Sequence, residues 1–128
     1  MSEEDVPVIL VIEDEVPLRR LVVKVLKGAG YDVIEAVNGE EALVLASRHP
    51  SIDLVLSDVV MPVVSGPELV TRLKATRPEL VVLFMSGYDR ALIDQKSAAN
   101  FLPKPFSPRT LLARVAELIG GQENRATA

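Results

Sequence analysis

Cysteine is absent from these 128 residues, and aromatic side chains make up only 4% of them. The first absence excludes a disulfide framework, a thiolate nucleophile and a cysteine-ligated zinc site. The second, beside 48% hydrophobic residues, requires a core built from Val, Leu, Ile and Ala. No clustered basic stretch is present and the formal net charge is -4, so a nucleic-acid surface, which needs a basic face to meet phosphates, is not expected. No apolar run approaches the length of a membrane span, and the opening MSEEDVPVILVI is acidic ahead of its apolar run, the reverse of a secretory signal. A soluble, cytoplasmic protein is the expectation. Neither GxxxxGK[ST] nor GxGxxG occurs, so nucleotide binding has no motif behind it. The length suits one domain with a single core; residues 1–121 are assigned to it, and 122–128 are expected to form a polar tail without regular structure.

What is present is a strand–helix alternation. The run 6-VPVILVI-12 is short and β-branched, as a strand buried on both faces should be. From Pro17 onward Leu18, Leu21, Val22, Val25 and Leu26 recur at helical spacing, and Gly28 or Gly30 can end that helix. Further strands are expected over 32–36, 53–57, 80–85 and 100–102. Asn38 is positioned to cap a helix with Glu41 three residues on, Leu69, Val70 and Leu73 mark another, and residues 89–98 carry a weaker helical pattern. Ser107 and Pro108 open a last helix with Leu111, Leu112, Val115, Leu118 and Ile119 on its core side, and Gly120 with Gly121 is expected to stop it. Five strands alternating with five helices imply an α/β fold: a doubly wound five-stranded parallel sheet of order 2-1-3-4-5, flavodoxin-like, with helices on both faces. Ligands of such sheets sit at the carboxyl ends of the strands.

Those ends carry the chemistry. Glu13 and Asp14 follow the first strand, Asp58 the third, Ser86 the fourth and Lys104 the fifth. Three carboxylates at one edge repel unless a cation is present, and oxygen-only ligands select a hard ion such as Mg2+, which retains exchangeable waters. Lysine and serine opposite the ion complete a cradle for a tetrahedral phosphoryl group. Asp58 is then the nucleophile, forming an acyl phosphate by in-line transfer.

The motifs 12-IEDE-15, 58-DVVMP-62 followed by Gly66, 84-FMSGY-88 and 104-KPF-106, in this order, make the chain resemble the receiver domain of response regulators over residues 6 to 119. The wording FMSGY and FLPKPF is similar to that of receivers attached to hybrid sensor histidine kinases. The resemblance implies that Glu13 and Asp14 organise Mg2+, that Asp58 ligates it and accepts phosphate, and that the Val60 carbonyl is a further metal ligand. It also implies that Ser86 and Lys104 hold the phosphoryl group, that the Lys104–Pro105 peptide is cis, and that Phe101 lies at a rotating aromatic switch position. The implied partner is a sensor histidine kinase or a histidine phosphotransfer domain, and the implied signal is an altered partner-binding surface. The interval from Ser86 to Lys104 is shorter than the family's usual one by about one helical turn.

Plainer readings stand beside these. Phe101 can be ordinary core, Tyr88 can either shield the phosphoryl group or cover the edge of the 89–98 helix, and His49 beside Pro50 reads as a solvated helix end. A haloacid-dehalogenase-type phosphatase would need a second acid two residues after Asp58, where Val60 stands. A receiver-like scaffold that takes no phosphate would not need the acidic pair, Asp58 and Lys104 together. Apolar Val60 and bulky Tyr88 flank the expected approach of water, which favours a long-lived phosphoryl group.

Overall fold

Ile9 to Ile12 alternate between the two faces of one strand, and both faces are dry: Ile9 and Val11 pack on one side, Leu10 and Ile12 on the other, all fully buried. That strand, β1 (Val8–Ile12), is an interior strand of a parallel sheet with β2 (Asp32–Ala36), β3 (Leu54–Asp58), β4 (Val81–Ser86) and β5 (Phe101–Pro103), in the order β2-β1-β3-β4-β5. The computed structural model describes residues 6–59, 63–86 and 100–127, with side chains as far as 120. The expected helix over 89–98, together with Val60 and Tyr88, lies outside the described residues.

Four helices cover the sheet among the described residues: α1 (Val16–Gly28), α2 (Gly39–Arg48), α3 (Gly66–Thr76) and α4 (Pro108–Thr127). Val22, Leu26, Leu111, Val115 and Ile119 close the face of Ile9, Val11, Leu54, Leu56 and Leu83. Ala42, Ala46, Leu69 and Leu73 close the face of Leu10, Ile12, Val55 and Phe84. Each fully buried aliphatic side chain contributes about 1.5–3 kcal/mol, so an aromatic-poor chain of this length still encloses a sufficient core.

Local signals set the boundaries. Gly30, at φ +98°, ends α1: its N–H bonds the Lys27 carbonyl while the Tyr31 N–H bonds that of Leu26, a Schellman closure. Asn38 Oδ1 accepts from the Glu41 N–H at 2.8 Å, and Glu41 Oε1 accepts from the Val37 N–H at 3.1 Å. Ser65 caps α3 through the Glu68 N–H at 3.2 Å, an S-x-x-E signal the sequence carried and the reading above passed over.

Two boundaries differ from expectation. Asp58 is the last residue of β3, level with Met85 of β4, so the carboxylate belongs to the strand and inherits its rigidity. The last helix does not stop at Gly120 and Gly121; helical backbone continues to Thr127, through most of the stretch expected to be irregular. Glycine costs a helix about 1 kcal/mol without breaking it, whereas termination needs a left-handed residue, and Gln122 to Ala126 are mostly good helix formers.

Candidate functional site

Strand register brings the functional groups together. Ile12 lies level with Ser57, Asp58 with Met85, and Ser86 with Pro103, so Glu13, Asp58, Ser86 and Lys104 arrive on one edge, each at or just past the end of its strand. The Lys104 N–H donates to the Ser86 carbonyl at 2.8 Å and locks the β5 exit to the end of β4. The Lys104–Pro105 peptide is cis, as the resemblance implied.

At the centre, Lys104 Nζ lies 3.0 Å from Glu13 Oε1 and 3.3 Å from Asp58 Oδ2. Glu13 is fully buried and Asp58 nearly so, whereas Asp14 is exposed. The other Glu13 oxygen accepts the Glu15 N–H at 3.0 Å, and the Glu13 N–H bonds the Ala36 carbonyl at 3.2 Å. Oxygens of Glu13, Asp14 and Asp58 lie within 4.8 Å of one another. Burial pushes the Glu13 carboxyl above the usual range, the Glu15 N–H and Lys104 pull it back, and the Asp58 charge adds to the rise. For Lys104, burial works against the ammonium, yet its bond to Glu13 and the Asp58 charge outweigh that and hold its proton more tightly than usual.

The loop after Asp58 is held by glycine. A Cβ on Gly66 would run into the Asp58 carbonyl oxygen and stand 3.0 Å from Val59 Cα and 3.1 Å from Phe84 Cε1, so only glycine lets α3 start against the strand that carries Asp58. Asp14 opens onto a cleft of about 270 Å³ lined also by Val37, Asn38, Glu40 and Val63. Val63 is 84% exposed and held at φ +69°, a conformation that β-branched residues avoid.

Of the sequence-predicted residues, Glu13, Asp14, Asp58 and Lys104 meet in this cluster. Ser86 is buried at the adjacent strand end, and Phe101 is buried in the core with Phe84, ring inward. Val60 and Tyr88 lie outside the described residues. His49 caps the end of α2, where its carbonyl accepts from Arg77 Nη2 at 2.8 Å. Arg19, between Leu18 and Leu21 on α1, reaches the acidic turn: Nη1 donates to the Glu13 carbonyl at 2.9 Å and Nε pairs with Glu35 Oε1 at 3.3 Å.

A doubly wound sheet with carboxylates and a lysine at its carboxyl edge places the protein among the open-sheet α/β proteins whose ligand sites lie at the strand ends. The comparisons narrow it. A family model described as the response regulator receiver domain matches residues 9–116, and the chain belongs to that family. Among curated proteins it is 38% identical over 120 residues to the sensor kinase CckA of Brucella abortus, covering 90% of this chain and 13% of that protein. It is also 38% identical over 120 residues to the phosphate regulon transcriptional regulatory protein PhoB of Pseudomonas aeruginosa, covering 87% of this chain and 51% of that one. The chain thus spans 13% and 51% of these relatives' lengths. The solved receiver domain of the hybrid histidine kinase CckA superimposes with a TM-score of 0.77 at 38% identity, covering 88% of this chain and 98% of that one. The Vibrio cholerae chemotaxis response regulator CheY4 does so at 0.80 and 30%, with the same coverages. No described helix is long and apolar enough to cross a membrane.

Proposed function

We propose that this receiver takes a phosphoryl group from a phosphohistidine onto Asp58. One Asp58 carboxylate oxygen attacks phosphorus, the phosphorus–nitrogen bond breaks, and the imidazole leaves with the electron pair and recovers a proton. Lys104 already sits between Glu13 and Asp58, so its ammonium can turn from carboxylate to phosphoryl oxygen without entering the site from outside. The Ser86 hydroxyl donates to the same group. This meeting of Lys104 with Asp58 at the strand edge, 3.3 Å apart, is the observation that carries the proposal.

The donor set fits Mg2+: three carboxylates with oxygens within 4.8 Å and no nitrogen or sulfur ligand among them. Bound there, the ion would neutralise charge on the transferring group. Asp14 and Asp58 would hold it, with the Val60 carbonyl as the further ligand the family implies. Both Glu13 oxygens already accept protein hydrogen bonds, so its part is to add charge and anchor Lys104.

The signal is a population shift. A phosphoryl group drawn onto Ser86 favours one packing of the β4 and β5 exits over another, with the inward Phe101 ring belonging to the favoured one and Tyr88 shielding the group. The partner we assign is a sensor histidine kinase or histidine phosphotransfer domain in the cytoplasm. The likeness to the CckA receiver and the FMSGY and FLPKPF wording support origin in a hybrid kinase.

Incubation with acetyl phosphate and Mg2+, followed by intact mass measurement, tests the chemistry. A phosphate-sized gain in the wild type that Asp58→Asn abolishes is expected. No gain in the wild type would make the domain a phosphate-independent scaffold.

A further inference from the structure

We infer that Arg19 is a positioning residue for the metal-binding carboxylate of Asp14, acting through the Glu13 carbonyl; the inference rests on the Mg2+ reading above. Arg19 stands in the first turn of α1, where the helix dipole disfavours a cation, and no acidic residue accompanies it there. Something other than local preference therefore holds it. Its side chain is only 12% exposed, and its fork spans two elements: Nη1 on the Glu13 carbonyl at the end of β1, Nε on Glu35 of β2. Glu35 pairs in register with Val11, two residues before Glu13, so the anchor is set by the sheet itself.

Peptide planarity connects this contact to the metal site. The Glu13 carbonyl and the Asp14 nitrogen belong to one rigid unit. The Glu13 N–H is fixed on Ala36, its carboxylate on the Glu15 N–H and Lys104, and its carbonyl on Arg19. With all three fixed, the peptide plane is held, and the Asp14 nitrogen and Cα from which its side chain departs are held with it. Asp14 is exposed, so the turn, more than side-chain packing, sets its direction. Lysine could supply the charge but cannot hold two acceptors on different strands in a planar fork.

Charge and position predict opposite signs. Removing a cation near a cation site should tighten metal binding on charge alone; removing the clamp should weaken it. Isothermal titration of the unphosphorylated protein with Mg2+ reads the difference, with the loss of the free Mn2+ signal in electron paramagnetic resonance as a second readout. Arg19→Met is expected to raise the Kd for Mg2+ about tenfold, the scale of lost outer-shell support in metal sites. An unchanged or tighter Kd in folded Arg19→Met overturns the assignment. If that variant lacks the wild-type helical circular dichroism, Arg19→Lys decides: it retains charge and stem, is expected to weaken binding about threefold, and a wild-type Kd in it overturns the assignment. A wild type that binds no Mg2+ overturns the metal reading and this inference with it, whereas wild-type binding untouched by either variant overturns this inference alone.

Discussion

Replacing Lys104 with methionine preserves the length of the stem and removes the one ammonium seen between two buried carboxylates. At an effective dielectric of about 20, charges 3.0 and 3.3 Å apart attract by about 5 kcal/mol each, and most of that is offset by taking the charges out of water. Breaking a buried pair from one side typically costs about 3–5 kcal/mol, because the other charge stays buried. Two features pull the figure down here. The Lys104 side chain is 19% exposed, and Glu13, already pushed up by burial, can take a proton once its partner is gone. We expect Lys104→Met to lose about 2–3 kcal/mol in metal-free buffer at neutral pH. For a domain of this size that is roughly a 10 °C fall in Tm.

Three signatures separate this account from simple loss of packing. The deficit should shrink when Mg2+ is added, because the more negative site of the variant gains more from a divalent cation. It should also shrink as the pH falls toward 4.5, the ordinary value of a glutamate, because protonating Glu13 removes the unpaired charge of the variant and the ion pair of the wild type. At the alkaline end, the proton of Lys104 is held above its ordinary 10.5, so the stability it contributes is complete below that pH and is lost as the pH climbs through its higher folded value. Urea unfolding of both proteins across this range, with and without Mg2+, is the assay. Equal stability of Lys104→Met and wild type at pH 7 without metal would refute the electrostatic reasoning.

Gly66→Ala forces a methyl against the Asp58 carbonyl and Val59 Cα; a loss of about 2–3 kcal/mol in urea unfolding and slower phosphorylation by acetyl phosphate are expected, and wild-type values in both would show that the loop yields freely. Val63→Asn puts a residue that tolerates the left-handed region at φ +69°, and should raise stability by about 1 kcal/mol, read as a higher urea midpoint. Val60→Asn supplies a polar group able to orient water, so the phosphorylated variant should lose phosphate faster than wild type in Mg2+ buffer by time-resolved intact mass; equal decay would remove Val60 from control of lifetime.

What could be read in the sequence was whatever depends on short apolar runs and the polar residues that end them. 12-IEDE-15, Asp58 after Leu54 to Leu56, and Lys104 after 100-NFL-102 announce strand ends, and the parallel topology then forces them to one edge. Asn38 with Glu41 was legible because capping is local. The misses share a different cause. Arg19 looks like a solvent residue because helical periodicity assigns it to the polar face, and its partners Glu13 and Glu35 become neighbours only when β1 and β2 pair. Gly120 is ambiguous in principle: glycine ends a helix only when φ turns positive, and composition does not report φ. Glu13 and Asp14 read as an equivalent pair, yet consecutive residues leaving a strand point to opposite sides, and one is buried against Lys104 while the other faces solvent.

That split explains how the site can be both stable and reactive. A fully exposed carboxylate cluster would hold Lys104 loosely, and a fully buried one would admit neither metal nor phosphoryl donor. Here the buried member fixes the ammonium and the exposed member is open to solvent, with Asp58 between them at 7% exposure. In the proposed phosphorylation the singly charged Asp58 carboxylate would give way to a phosphoryl group with about one more negative charge, and that group would meet an ammonium already in place. Because the Lys104 N–H is bonded to the Ser86 carbonyl, and Phe101 opens the short strand β5 that leads directly into Lys104, the proposed sharing of a phosphoryl group by Lys104 and Ser86 would be transmitted to β5 and its aromatic ring.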